Sequence, residues 1–213
     1  MDAKGEVAGL LLAAGGGRRL GGRPKALLPY GERPLVEHAV AVLREGGCGA
    51  VHVVLGAAAA EVRERADLTG CVVVENPHWA EGMGSSLRAG LASLAAARDR
   101  PSATVIGLVD QPGVTGAAVA RVIDAARQGD DLVSGLVSAM YEGRRGHPVL
   151  IGASRWAGVA MSAGEDRGAR TYLREHAEQT VLVECGDISD HADIDTPADL
   201  RLLAEAAQRA TKR

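Results

Sequence analysis

Residues Leu10 to Lys25 read LLLAAGGGRRLGGRPK, and the rest of the chain is organised around them. The apolar run from Val7 to Ala14 has the length and composition of a strand buried on both faces. It empties into a glycine loop that carries Arg18 and Arg19 and ends at Lys25. Backbone N–H groups of Gly15, Gly16 and Gly17 can approach an anion closely, and the positive side chains follow, which is what a polyphosphate needs. Two common glycine loops do not fit. In the dinucleotide register counted from Gly15, Gly17 falls in place, but Leu20 occupies the position of the last glycine. In the P-loop register counted from Gly17, Gly22 is followed by Arg23 and Pro24 instead of Lys and Ser or Thr.

Outward from the loop, strand and helix patterns alternate. Val36, Ala39, Val40 and Leu43 have the spacing of a buried helical stripe, and Gly46-Gly47 ends it. Val51–Leu55, Cys71–Val74, Thr104–Val109, Leu132–Val137, Pro148–Ile151 and Val181–Glu184 read as strands, with a polar loop from Tyr141 to His147. Short helices are expected over Ala57–Ala66 and Thr171–His176. Ser85 or Ser86 would cap a helix through Leu94, and another starts at Thr115. Ala153 to Arg170 reads as irregular. A final helix starts at Thr196-Pro197 with Asp199 in capping-box position and Leu200, Leu203, Ala204 and Ala207 as its stripe. The implied fold is α/β: a three-layer, mostly parallel, Rossmann-like sheet with helices on both faces. Ligands of such sheets sit at the carboxyl ends of the strands, here the loops after Ala13, Val74 and Val109 and the one before Pro148.

Composition narrows the function. The 213 residues are 46% hydrophobic with a net charge of −3, which fits one domain and argues against a general nucleic-acid binder. Aromatic residues make up 2%, too few for a single-strand stacking platform. Cys48, Cys71 and Cys185 form no Cys-x-x-Cys pair, which argues against a zinc site or disulfide framework and fits a reducing cytoplasm. No run approaches the roughly 20 apolar residues of a membrane span, and acidic residues precede the first apolar run, unlike a signal peptide. The expectation is a cytoplasmic protein that binds neither membrane nor nucleic acid.

Asp110 follows a buried strand and Pro112 ends it, so its carboxylate projects from the sheet edge. Asp193 and Asp195 precede the last helix. Taken alone, Asp110 reads better as a turn cap and Asp195 as a helix cap. Beside a triphosphate loop they offer the one or two carboxylates that Mg²⁺ takes in addition to phosphate oxygens.

Leu12, Ala13, Ala14, Gly15, Arg19, Leu20, Gly21 and Lys25 fall in register on the signature of the MobA-like NTP transferases, which the chain resembles. Asp110-Gln111-Pro112 resembles that family's G-D-Q-P segment, with Val109 in place of its glycine. The stretch from Asp193 to Leu200 is similar to its closing D-I-D-T-P-x-D-L. Asn76-Pro77, Gly82-Met83, Ser86-Leu87, Gly146-His147-Pro148 and the stretch Asp166, Gly168, Ala169, Arg170 resemble segments of its cytidylyltransferase branch. The resemblance implies one nucleotidyltransferase domain of the nucleotide-diphospho-sugar transferase type over 1–213. Its NTP-binding part would run to about 112 and its acceptor part from about 113 to 205. It implies Arg19, Lys25 and Asp110 as catalytic residues. Leu12, Ala13, Ala14, Gly15, Gly16, Gly17, Asn76, Gly82, Ser85 and Ser86 would bind nucleotide, and His147, Asp166 and Arg170 the acceptor. Asp110 and Asp195, or Asp193 in its stead, would hold Mg²⁺. Ala14, where the guanylyl branch tends to carry glycine, points to CTP, with molybdopterin (molybdenum cofactor) as acceptor. Molybdoenzymes or cofactor-delivery proteins would be further partners.

Three rival readings remain at this level. A sugar- or polyol-phosphate nucleotidyltransferase would share the loop and Asp110 and differ in its acceptor segments. A non-catalytic nucleotide- or cofactor-binding protein could dispense with Asp110 and Asp195, which are present. A Rossmann oxidoreductase is disfavoured by the failed glycine register.

Overall fold

The computed structural model describes residues 6–129, 131–164 and 168–211. β1 (Val7–Ala13) lies between β4 (Val51–Leu55) and β6 (Ala103–Leu108) and is parallel to both. β5 (Cys71–Glu75) extends the sheet in parallel beyond β4. On the other side come β8 (Arg144–Gly152), β7 (Leu136–Tyr141) and the edge strand β9 (Val181–Glu184), giving the order β5-β4-β1-β6-β8-β7-β9. Only β8 runs against the rest of this sheet. A two-stranded ribbon, β2 (Pro29–Tyr30) with β3 (Arg33–Pro34), stands apart.

The alternation in β1 sets the layers. Val7, Leu11 and Ala13 face a core shared with α1 (Leu35–Glu45), α2 (Ala59–Arg65), α4 (Gly116–Arg127) and α7 (Arg201–Thr211). Ala8, Leu10 and Leu12 face the opposite core with α3 (Met83–Ala95), α5 (Trp156–Ser162) and α6 (Arg170–Glu175). Both faces are covered, so the inner strands are continuous apolar runs. Helix α3 lies close on the sheet: a Cβ at Gly90 would sit 2.4 Å from Leu10 Cδ1.

Several expected elements shift. Leu132–Ser134 is a 3-10 turn, and β7 starts later, at Leu136. The expected polar loop from Tyr141 to His147 is largely strand. Only Glu142 and Gly143 turn, both at positive φ (50° and 77°), a tight reversal that leaves the polar Arg144 and Arg145 paired with β7. Helix α3 begins at Met83, so Ser85 and Ser86 lie inside its first turn instead of capping it. The stretch expected to be irregular contains α5, whose Trp156 and Val159 are buried. In α7 the buried residues are Leu202, Leu203 and Ala206, whereas Ala204 is exposed. The preceding Pro197–Leu200 is 3-10, and the tighter turn moves the stripe out of the phase expected for a continuous α-helix. No helix among the described residues is long and apolar enough to cross a membrane.

Candidate functional site

Register brings the site together. Leu12 pairs with Leu108, so the glycine loop and Asp110 leave adjacent strands at the same sheet edge. The loop turns on Gly17, at φ 58°, whose carbonyl accepts from Leu20 N at 2.8 Å and Gly22 N at 3.1 Å. A Cβ at Gly17 would lie 1.8 Å from the Arg23 carbonyl oxygen, so no side chain fits there. Pro24 then delivers Lys25 at the start of a 3-10 turn.

Asp110 is anchored through its own backbone, since Ile194 N donates to Asp110 O at 2.9 Å. That bond carries the closing segment to the end of β6 and places Asp195 opposite Asp110. The Asp199 carboxylate fixes Asp195 in turn, accepting from Asp195 N at 3.1 Å and from Thr196 N at 2.7 Å. Lys25 Nζ donates to Asp110 Oδ2 and to Asp195 Oδ1, 2.7 Å in each case. Burial works to lower the Lys25 pKa, but the Asp110 and Asp195 carboxylates outweigh it, and the ammonium titrates above its ordinary range. Arg19, exposed to solvent, lies 3.6 Å from Asp195 Oδ2.

These groups line an open cleft of about 590 Å³. Of the expected nucleotide and catalytic residues, Leu12, Ala14, Gly15, Gly16, Gly17, Arg19, Lys25, Gly82, Ser86, Asp110 and Asp195 are on its wall. Ala13 belongs to the opposite core. Asn76 and Ser85 are buried behind the wall. Asn76 Nδ2 donates to Ser85 Oγ at 2.8 Å and to Ser86 Oγ at 3.0 Å, while its Oδ1 accepts from His78 N at 3.0 Å. This network shapes the turn that presents Trp79, whose indole packs beside Gly16 and Gly56 and lines the cleft. Sequence reasoning passed over Trp79; the available signal was a Trp in a chain with very few aromatics, just before the Gly82-Met83 segment.

A second chamber, about 340 Å³, adjoins the cleft across Leu12, Met83 and Leu108. Leu12, Met83, Leu87, Ile106 and Leu108 give it an apolar side, and Arg145, His147, Arg170, Arg174, His191 and Asp193 also line it. Because β8 runs antiparallel, with Val149 opposite Ile106, its early residues lie at the same sheet edge as Asp110. Burial, with the Arg170 charge beside it, pushes the His147 pKa down to about 4, so the ring is neutral near pH 7. Asp193 accepts from Gln111 Nε2 at 2.8 Å, and burial and the nearby Asp110 charge raise its pKa. Asp166 lies outside the described residues.

No group of three His, Cys, Asp or Glu side chains among the described residues converges on a metal position. The pair Asp110 and Asp195 does converge, because one ammonium reaches both at 2.7 Å. Two carboxylate oxygens facing one cation, beside the glycine loop, are a donor set suited to a hard divalent ion that takes its other ligands from water or phosphate oxygens.

The comparisons with known proteins agree with this architecture. A sequence model of the MobA-like NTP transferase domain matches residues 9–180. The chain is 42% identical over 205 residues to nicotine blue oxidoreductase of Paenarthrobacter nicotinovorans, covering 92% of this chain and 96% of that one. The crystal structure of Rv0371c from Mycobacterium tuberculosis H37Rv superposes with a TM-score of 0.77 at 30% identity, over 96% of this chain and 100% of that one. The structure of Rv0371c in complex with manganese gives a TM-score of 0.72 at 29% identity, over 94% and 98% of the two chains.

Proposed function

Since the chain belongs to the MobA-like NTP transferase family, we propose that it transfers a nucleoside monophosphate from CTP to the phosphate of molybdopterin cofactor, releasing pyrophosphate. The observation that carries this reading is Lys25 held between Asp110 and Asp195 at the foot of a cleft walled by the glycine loop. The loop N–H groups, Lys25 and Arg19 take the triphosphate, Lys25 as a point charge and Arg19 as a two-pronged donor. The acceptor lies in the adjoining chamber, where Arg145 and Arg170 face its anionic part. Residues to about 112 serve the nucleotide, and those from 113 to 205 serve the acceptor and close the site.

In this mechanism an acceptor phosphate oxygen attacks the α-phosphorus. The new P–O bond forms as the bond to the β-phosphate oxygen breaks in line, and the electron pair leaves with pyrophosphate. The attacking oxygen is already anionic, so no side chain has to remove a proton. The residues act by positioning and by neutralising charge that moves onto the leaving group. Asp110 and Asp195 would hold a divalent cation, magnesium in this reading, which supplies further neutralisation of the phosphates. CTP is favoured over a purine nucleotide because the Ala14 methyl stands on the cleft wall and narrows it.

The 42% identity to an enzyme named as an oxidoreductase supports a second reading, in which a reduced nicotinamide nucleotide occupies the cleft and passes hydride to a flat acceptor in the chamber. One set of assays separates the two. Pyrophosphate release is measured with Mg²⁺ and each NTP, with and without molybdopterin cofactor. Loss of nicotinamide absorbance is followed in parallel with nicotine blue. Acceptor-dependent release with CTP that disappears in Asp110→Ala supports transfer. Silence with every NTP, together with nicotinamide oxidation, overturns it.

A further inference from the structure

The cleft and the chamber share three wall residues, Leu12, Met83 and Leu108, and all three are apolar. Leu12 and Leu108 are register partners at the ends of β1 and β6, and Met83, the first residue of α3, packs on the same core. Met83 is set against the chamber wall. A Cβ at Gly168 would lie 3.1 Å from its Sδ, and Gly168, at φ 49°, holds a backbone conformation that favours glycine. The charged groups stand to either side of this apolar sill. Lys25, Asp110 and Asp195 line the cleft alone, and Arg145, Arg170 and Asp193 line the chamber alone. In a transfer between the two compartments the nucleophile has to cross the sill. In-line displacement admits it only on the side of the α-phosphorus away from the leaving pyrophosphate. With the pyrophosphate on the glycine loop and Lys25, that is the chamber side. Water is the competing nucleophile there, and unlike an ionised phosphate it needs a base. No sill side chain can take a proton. Asp110 is already held by Lys25 at 2.7 Å, and burial leaves the chamber's His147 a weak base, with a pKa of about 4.

Resting on the transfer reading above, we propose that Met83, with Leu12 and Leu108, sets the choice of nucleophile. The sill closes the line of attack to water, so that the nucleotidyl group passes to the acceptor and is not hydrolysed. In the suppressed reaction a water oxygen forms the new bond to the α-phosphorus as the bond to the β-phosphate oxygen breaks. The products are CMP and pyrophosphate, and the surplus proton of the water passes to solvent. An acceptor phosphate crosses the sill already ionised and anchored from the chamber, whereas a lone water finds no hydrogen-bond partner on three apolar side chains. Met83 acts through the space that it fills.

The test is CTP turnover by the full chain with Mg²⁺, with and without molybdopterin cofactor, CMP and nucleotidylated cofactor being quantified separately. Met83→Ala opens the sill. It is expected to raise acceptor-independent CMP formation about tenfold, the low end of what one truncation in an apolar pocket is worth in discrimination. Met83→Leu refills the space and should bring hydrolysis back toward the wild-type level. Leu108→Ala is the independent check and should act in the same direction as Met83→Ala. A gain of hydrolysis is a readout that partial unfolding does not produce, since unfolding lowers both reactions. Hydrolysis no higher than wild type in either truncation would overturn the proposal, and the transfer reading would stand if the wild type still labels the cofactor. A rise in hydrolysis with no labelling of cofactor by any variant would support the sill and overturn the cofactor as acceptor. Neither CMP nor labelled cofactor from any variant would overturn both.

Discussion

Lys25 Nζ lies 2.7 Å from Asp110 Oδ2, and the same ammonium is equally close to Asp195 Oδ1, so one lysine bridges the two carboxylates and offsets part of their charge. A divalent cation and this ammonium cannot occupy the gap together. Lys25→Met is therefore expected to raise the affinity of the nucleotide-free protein for Mn²⁺ about tenfold, the worth of one charged hydrogen bond. The same change removes a phosphate contact and should cost about 2–4 kcal/mol of transition-state stabilisation in nucleotidyl transfer, by analogy with a lost oxyanion donor. Calorimetry with Mn²⁺ alone and single-turnover rates measure the two effects separately. Unchanged Mn²⁺ affinity would mean that the lysine does not compete for the metal position.

The neutral His147 ring makes stability depend on acid. Its folded pKa of about 4 lies below the ordinary histidine value of 6.5. Between those values the unfolded chain binds more protons than the folded one, so stability rises with pH there. The contribution is fully present above pH 6.5 and is lost as pH falls toward 4. Denaturant unfolding at pH 7 and pH 5 should show a loss of the order of 2 kcal/mol, since a pKa unit is worth about 1.4 kcal/mol. His147→Gln should shrink that difference; an equal loss in the variant would place the titration elsewhere.

Gly17 sits at φ 58° with the Arg23 carbonyl where a Cβ would have to go, whereas a Cβ at Gly15 would meet nothing within 4 Å. Gly17→Ala should force the loop out of its fold, with kcat/KM for NTP falling about 100-fold, the cost of displacing positioning groups by roughly an ångström. Gly15→Ala should leave the melting temperature unchanged and act only through contact with nucleotide. Steady-state kinetics and thermal melts of the two variants, read together, distinguish backbone geometry from simple crowding of the cleft. Equal behaviour of the two would contradict the geometric argument.

Where the sequence was legible, the reason was local. Continuous apolar strands such as Val7–Ala13 and Val51–Leu55 announce a sheet covered on both faces, and Lys25 follows its loop at short range. The meeting of Lys25 with Asp195, 170 positions away, depends on the Ile194–Asp110 backbone bond, which no periodicity records. Pro148–Ile151 read as a strand, but the antiparallel direction of β8 and its first half did not, for a similar reason. That half, Arg144 to His147, is polar, and Arg145 to His147 border the chamber, so it reads as loop although Arg144, Arg145 and Gly146 pair with β7. Ser85 read as a helix cap because hydroxyls favour that position. In the fold its Oγ donates instead to the His78 and Gly82 carbonyls from inside the helix.

Trp79 provides an optical view of the cleft. Its indole flanks Gly16 on the cleft wall, whereas Trp156, the other tryptophan, is buried in the core, absent from the cleft lining, and donates to the Ile151 carbonyl at 3.0 Å. In Trp156→Phe all tryptophan emission comes from Trp79, and CTP binding is expected to quench it by stacking or by excluding water. Trp79→Ala should weaken nucleotide binding by about 1–3 kcal/mol, the usual range for a base on an aromatic face. The loss should be similar for CTP and UTP, because stacking depends on the ring face and not on its hydrogen-bonding edge. Emission that stays constant through saturation with CTP, with unchanged affinity in Trp79→Ala, would place the base away from the indole and assign this wall of the cleft to the phosphates alone.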